Sequence, residues 1–365
     1  VKDAHDLVDA LRAAGKYPDV LGSLFVDVRR DDFLPNRIWY RDADWKVVPV
    51  DREVAPEEWA AAVNSDGPIV TQWNDGEVEW PEAGDTPSSS ASQPSAVAAM
   101  LVALGVETGD AVLDIGTGTG LNAGYTARQA GDDGRVSTVE IDENALTWAS
   151  MALGRAGFAS VKTVLGDGAF GDPQGAPFDR VISTMSMFAG RVPYAWVKQT
   201  RPGGVIVAPV RADMDSGPLV KFTVQEDGTA TGRIQPMSVG FMISRTQRQS
   251  SVDDHDPRWL IAAEHVTTTQ LDPAEVFRNE AVLWTVAMAV PHCRYNDDPG
   301  WWLRDPLTGS WATIDDNLTV RQRGPRRLWD EVTAAWYWWQ DQGSPPLDAW
   351  EWIITPATQY ITLAR

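Results

Sequence analysis

The chain has 365 residues, with 51 Asp and Glu against 31 Lys and Arg, a formal charge of −20 and a pI near 4.5. That balance argues against nucleic acid and anionic membranes as partners, because binding phosphate needs Lys and Arg in excess. The single cysteine, Cys293, excludes an internal disulfide and a thiolate metal cluster. With no basic start leading into an apolar run and no stretch of about 18 apolar residues, the cytoplasm is the expected location.

In chain order, residues 5–15 place Leu7, Val8 and Leu11 on one helical face and stop at Gly15. A second apolar run, 20–28, leads into R-R-D-D-F-L-P at 29–35. Between about 42 and 87 an acidic tract carries Trp45, Trp59, Trp73 and Trp80, with a short strand expected over 68–73 before the turn W-N-D-G-E. Residues 86–95 are rich in Ser and Pro. They read as a linker, or as a turn in which Ser92 or Ser95 caps the helix patterned by Val97, Leu101 and Leu104.

The most informative stretch is V-L-D-I-G-T-G-T-G, 112–120, in which an apolar strand runs into a glycine turn and then a helix. Glycine lets a ligand approach the backbone and adopts positive φ without cost, and the helix that follows offers free N–H groups. About twenty residues on, Glu140 ends the next apolar strand, 135–140, where a carboxylate can take the hydroxyls of a ribose. The helix after it sets Ala145, Trp148, Ala149 and Ala152 on one side, to pack on the sheet. Further strands follow at 164–170, 178–184 and 201–210, each ending in small or acidic residues and separated by helix-length segments. This is the rhythm of an α/β, doubly wound, Rossmann-like sheet with an adenosine-containing cofactor at its C-terminal edge. A hairpin from Leu219 through E-D-G to Ile243 would complete it.

Residues 249–365 hold 11 of the 18 tryptophans, in alternating strand-like and helical segments such as H-D-P-R-W-L and P-G-W-W-L-R-D-P. They carry enough apolar surface for a small core of their own. Leu328, Val332, Ala335 and Trp339 share a helical face, and R-Q-R-G-P-R-R at 321–327 is the one basic cluster, either a solvated face or a dock for an acidic peptide. His5, His255, His265 and His292 are isolated and suggest no metal site.

The order D-I-G-T-G-T-G, V-E-I-D, G-D-G, F-D-R-V-I-S-T and R-P-G-G-V-I-V-A-P-V resembles a class I S-adenosylmethionine methyltransferase, specifically the protein L-isoaspartyl O-methyltransferase family. The segment S-A-S-Q-P-S-A-V at 90–97 is similar to that family's T-I-S-x-P lead into a helix, and the resemblance spans roughly residues 5–245. It implies a methyltransferase domain over 1–248, with an insertion at about 42–87, followed by a Trp-rich C-terminal domain over 249–365 for substrate recognition. It also implies that the N-terminal helices lie over the cofactor side of the sheet. Cofactor contacts are implied for Asp114, Gly116, Thr117, Gly118, Gly120, Asn122, Glu140, Ile141, Asp167, Gly168 and Thr184, with Asp142 near the ribose and Asp167 near the adenine.

For the chemistry, an Asp carboxylate of pKa about 3.9 is already a nucleophile at neutral pH, so alignment and exclusion of water suffice. Ser90 and Ser92 are the expected catalytic residues, orienting the carboxylate without a charge pair that would blunt it. S-adenosylmethionine, leaving as S-adenosylhomocysteine, is the implied cofactor, and no metal is required. Ser95 stands where the repair enzymes often have a larger residue, and the insertion and tail are long. In this the chain resembles the extended branch associated with ribosomally made, cyclised peptides such as lanthipeptides and graspetides. Its acceptor would be an ordinary Asp in a macrocyclic peptide, whose ester closes to a succinimide with or without hydrolysis to isoaspartate. Repair of isoaspartyl proteins is the alternative within the enzyme class, and an inactive peptide-binding subunit the alternative outside it, although a scaffold would not need the glycines, Glu140 or Asp167.

Overall fold

In the computed structural model, which describes residues 2–248, 262–298 and 300–364, a 10-stranded mixed sheet runs through the molecule. Five adjacent strands are parallel and run to one edge of it, in the order Thr200–Arg211, Phe178–Ser183, Ala111–Ile115, Arg135–Glu140 and Lys162–Leu165. Chain order reverses beside Ala111–Ile115, which places the ends of that strand and of Arg135–Glu140 at the crevice where doubly wound sheets bind ligands. All five residues of Ala111–Ile115 are buried, as a strand covered on both faces requires. Leu113 and Ile115 point into one hydrophobic cluster and Val112 into the other. The α/β methyltransferase class expected from sequence is the class observed.

The regions flanking these strands differ from the sequence expectations in four ways. The tract at about 42–87 is folded: Arg37–Arg41, Val47–Asp51, Ile69–Trp73 and Pro87–Ala91 form a four-stranded antiparallel sheet. The segment read as a linker thus contributes an edge strand. Its high Ser and Pro content hides this, because those residues carry little strand propensity and the pairing comes from Ile69–Trp73. The helix Pro94–Leu104 is capped by neither Ser92 nor Ser95: Gln93 is the N-cap and makes no side-chain cap bond. Ser95 lies inside the first turn and donates its N–H to Asp66 Oδ1 at 2.9 Å. Proline at N1 fixes that start with no hydroxyl needed.

Second, the N-terminal helices pack on the helix Leu121–Ala130, where Phe25 stacks on Tyr125 and Asp27 pairs with Arg128, while Lys16 reaches the C-terminal edge of the sheet. A Cβ on Gly124 would meet Phe33 Cζ at 2.8 Å, and Trp148 Nε1 donates to Phe33 O at 2.9 Å. Third, the described C-terminal residues do not build a core of their own. The hairpin Trp350–Ile354 and Gln359–Leu363 extends the main sheet beside Ala230–Ser238, and one cluster runs from Leu113 and Trp196 to Trp284 and Trp352. Within this region, among the described residues, the five-stranded sheet of 265–323 is a sheet separate from the main one. The 248/249 boundary, His255 and H-D-P-R-W-L lie outside the described residues.

Fourth, the basic run does not present a docking face. Arg321 pairs with Asp315, Arg323 with Glu264, and Arg326 with both Asp305 and Glu331. Of these, Arg326 joins the C-terminal sheet at Asp305 to Glu331 of the helix Leu328–Asp341, whose Leu328, Val332 and Ala335 are buried as expected. The strand after E-D-G ends at Ser238, and the chain then leaves the sheet. Residues 241–244 cross to Ser186, which donates its N–H to Met242 O at 2.8 Å and accepts from Ser244 N at 3.0 Å.

Candidate active site

A cavity of about 650 Å³ opens at the C-terminal edge of the parallel strands, within the size range of small-molecule sites. Gly116, Gly118, Glu140, Ile141, Asp167, Gly168 and Thr184 form one wall. Ser90 and Ser92 stand on another, and the crossing segment with Met242 and Arg245 closes a third side. Seven of the eleven expected cofactor contacts, and both expected catalytic serines, therefore meet in one space.

The glycines are fixed by close approach. Gly116 has φ of +87°, and a Cβ there would sit 3.1 Å from Thr184 Oγ1, which donates to Gly116 O at 2.7 Å. Gly118, at φ of +52°, lies under the carbonyl of Ser90, 3.4 Å from where its Cβ would be. Glu140 locks the turn: its Oε2 accepts from Gly118 N at 2.9 Å, and its Oε1 accepts from Ile141 N at 2.9 Å and Asp142 N at 3.1 Å. A carboxylate has about four acceptor positions. Three are taken, so one hydroxyl can be accepted at Oε2 without loss, whereas two would displace a backbone donor.

Asp114, Thr117, Gly120 and Asn122, also expected as contacts, lie beneath the cavity. Asp114 is fully buried and accepts from Asn122 Nδ2 at 2.6 Å and Thr138 Oγ1 at 2.7 Å, while Thr117 bonds Thr138 at 2.7 Å. Gly120 packs on Ala149. These residues hold the turn's shape from below. Burial pushes the Asp114 carboxyl up to about 6, opposed by the Thr138 and Asn122 bonds. Because the folded-state value is raised, the stabilisation this group brings is complete below its unfolded value and is lost as pH rises through 6. The stability of the wild type relative to Asp114→Asn, measured by urea denaturation, should therefore fall by about 1 kcal/mol between about pH 5 and pH 8.

Asp142 is also committed elsewhere. It caps the helix Glu143–Arg155 through Asn144 N and Ala145 N, and its Oδ2 accepts from Gln72 Nε2 at 2.9 Å and from Arg245 at 3.0 Å. Arg245 also pairs with Asp75 at 3.0 Å, and Arg248 pairs with Asp75 at 2.7 Å. The small sheet, the cofactor strand and the crossing segment are thereby tied together at the rim. Sequence reasoning missed these three elements meeting, because the contacts span more than a hundred residues.

The serines divide sharply. Ser88 Oγ donates to Gln72, Ser89 Oγ bonds Thr71, and Ser95 Oγ accepts from Gln93. The hydroxyls of Ser90 and Ser92 have no hydrogen-bond partner among the described residues and line the cavity. Their backbone is set by Arg30, only 2% exposed, whose guanidinium donates to the carbonyls of Val63, Ser65, Gly67, Ala91 and Ser92 at 2.8–3.3 Å. Burial lowers its pKa to about 10, which leaves it cationic. No periodicity marks Arg30, and R-R-D-D reads as surface.

A model of the family described as protein-L-isoaspartate(D-aspartate) O-methyltransferase matches residues 50–248, more than half of the chain. The chain belongs to the protein-L-isoaspartate O-methyltransferase family. A member from Ignicoccus hospitalis is 35% identical over 147 residues, which is 40% of this chain and 69% of that protein. One from Anaeromyxobacter dehalogenans is 43% identical over 120 residues, 33% of this chain and 55% of its own length. A solved protein-L-isoaspartate O-methyltransferase shares the fold with a TM-score of 0.57 at 20% identity, over 99% of this chain and all of that one. That alignment extends through the C-terminal region, so the tail does not by itself place the chain in the cyclised-peptide branch.

The fold is that of S-adenosylmethionine-dependent methyltransferases, and the residues present fit the cofactor. Gly116, Gly118 and Gly168 line the cavity with backbone alone, Glu140 retains an acceptor at Oε2, and Asp167 and the half-exposed Ile141 line it beside them. Among the described residues no group of His, Cys, Asp and Glu is placed to hold a metal ion, and no helix is long and apolar enough to cross a membrane.

Proposed function

We propose that this chain methylates an aspartyl-derived carboxylate of a protein or peptide, with S-adenosylmethionine as donor. One observation carries the reading: two hydroxyls without a partner among the described residues, Ser90 and Ser92, face the same cavity as Glu140, Gly118 and Asp167. Bound there, the cofactor would supply a methyl group on a sulfonium; the carboxylate oxygen gains the O–CH₃ bond as the S–CH₃ bond breaks to leave a thioether. Ser90 and Ser92 donate to the acceptor carboxylate and hold it in line. Arg30 fixes the strand that bears them, and the segment 241–245 with Trp39 and Trp73 limits water. No general base is required, because the acceptor is ionised at neutral pH.

Family membership favours L-isoaspartate in damaged proteins as the acceptor. A second reading, an ordinary Asp in a ribosomally made macrocycle that closes to a succinimide, is supported by the shape of the acceptor side. There the small sheet contributes Trp39, Tyr40, Arg41 and Trp73 to the lining of the cavity that holds the serines, and Ser95 leaves room where a larger side chain would narrow it. Mass spectrometry of isoaspartyl, aspartyl-linear and aspartyl-cyclised peptides with S-adenosylmethionine separates the readings. A one-methylene gain on the isoaspartyl peptide alone supports repair. A gain followed by loss of methanol on the cyclised peptide alone supports tailoring. No gain on any peptide defeats both, and retained binding of S-adenosylhomocysteine would then favour a peptide-binding subunit.

Ser92→Ala is expected to lower kcat about 10²-fold while leaving the Kd for S-adenosylhomocysteine within about twofold, as for removal of one preorganised donor. Equal turnover in variant and wild type would remove Ser92 from the mechanism.

A further inference from the structure

Beside the methylation site, sharing Ile243 and Arg248 with it, lies a second cavity of about 480 Å³. Its cations are Arg211, Arg248 and Arg294, its aromatic walls Phe188, Tyr295 and Trp302, and the carboxylate among its lining residues is Asp213. Three guanidinium groups and the Asp213 carboxylate thus line this cavity in a chain of charge −20, with Asp215 also facing Arg211. Asp75 already neutralises Arg248 at 2.7 Å, so Arg211 is the guanidinium that a ligand would chiefly engage.

Arg211 ends the strand Thr200–Arg211 and lies with its guanidinium 5.8 Å from the Phe188 ring centroid. Its buried Nε has no hydrogen-bond partner among the described residues. Burial and the neighbouring Arg294 both lower its pKa, against the pull of Asp213 and Asp215, so the charged form is held at a cost that an incoming anion would reduce. Aromatic walls that exclude water strengthen such a pair, and a guanidinium matches a carboxylate bidentately.

The two halves of this cavity come from distant parts of the chain. Phe188 and Arg211 belong to the matched family region, residues 50–248, while Arg294, Tyr295 and Trp302 come from the paired strands Arg294–Asn296 and Trp301–Asp305 of the C-terminal region. We infer that this cavity is a subsite of the acceptor polypeptide, taking a carboxylate-bearing side chain that flanks the methylated residue and giving the C-terminal region a part in substrate choice. The inference rests on the proposed methyltransferase function, because the shared wall at Ile243 and Arg248 is what makes the two cavities adjacent along one bound chain.

The test uses the full chain saturated with S-adenosylhomocysteine and fluorescein-labelled isoaspartyl peptides. A single glutamate is walked along the positions before and after the isoaspartyl residue, each peptide having a glutamine twin. Fluorescence anisotropy should show at least one position at which glutamate binds about tenfold tighter than glutamine, the gain of one charge-assisted hydrogen bond, with the advantage shrinking in added salt. Arg211→Gln and, independently, Arg294→Gln should bring that ratio close to one. A wild type that does not distinguish the twins at any position would overturn the inference, as would a preference that survives both substitutions. Methyl transfer is scored separately: absence of turnover with an Arg211-dependent preference intact would count against the methyltransferase reading and not against the subsite.

Discussion

Arg30→Met is expected to destabilise the protein by about 3–5 kcal/mol, the largest stability loss anticipated for a single substitution near the site. The side chain is 2% exposed and satisfies five carbonyls from two separate segments, Val63 to Gly67 and Ala91 to Ser92. Methionine fills similar volume and withdraws the donor from all five carbonyls, two of them, Val63 and Ala91, at buried positions. Lysine restores one charge but not the planar fork, so Arg30→Lys should recover only part of the loss. Because two of the five carbonyls belong to the serine turn, kcat should fall further than affinity for S-adenosylhomocysteine. Urea denaturation alongside steady-state kinetics would measure both, and a Met variant within about 1 kcal/mol of wild type would show that the turn is held by other contacts.

Glu140→Ala is expected to weaken S-adenosylhomocysteine binding by about 10²-fold. The substitution removes the free acceptor at Oε2 and also releases Gly118 N, Ile141 N and Asp142 N, the three donors that shape the turn. Glu140→Gln separates these effects. Its amide oxygen can keep Ile141 and Asp142, but its NH₂ meets the Gly118 N–H donor to donor, so an intermediate loss of about tenfold is expected. Calorimetric titration reads both variants. Full affinity in Glu140→Ala would mean that the nucleoside is held away from the end of Arg135–Glu140.

How much of the fold is legible in the sequence depends on the range of the interactions involved. The strand at 111–115, the glycine turn and Glu140 are local patterns of apolar run, small residue and acid, and each stands within a few residues of its expected place. Gly116, Gly118, Asp167 and Thr184 meet because parallel strands bring their C-terminal ends together, a consequence of topology that the βα rhythm already implies. Asp114, Thr117 and Asn122 share the same motif, yet they form a buried network under the turn, since a motif does not say which side of the backbone each residue faces.

The rest depends on long-range pairing. Arg30 reaches carbonyls up to 62 residues away, and Arg245 reaches Gln72 across 173. No spacing rule encodes either contact. Composition disguises the serine strand, and the basic run at 321–327 is taken up by partners, Asp315, Glu264, Asp305 and Glu331, that only the folded chain brings within reach. Similarly, the tryptophans of residues 249–365 suggest a self-sufficient core, whereas Trp352 completes the core of the main sheet against Trp284 at 5.6 Å.

The most direct measurement is a crystal structure of the full chain with S-adenosylhomocysteine and an isoaspartyl peptide. The ribose should be found at Glu140 Oε2, the adenine between Ile141 and Asp167, and the sulfur turned toward a peptide carboxylate held by the Ser90 and Ser92 hydroxyls. A nucleoside bound outside the cavity, or a sulfur facing away from both serines with the peptide carboxylate elsewhere, would contradict the account.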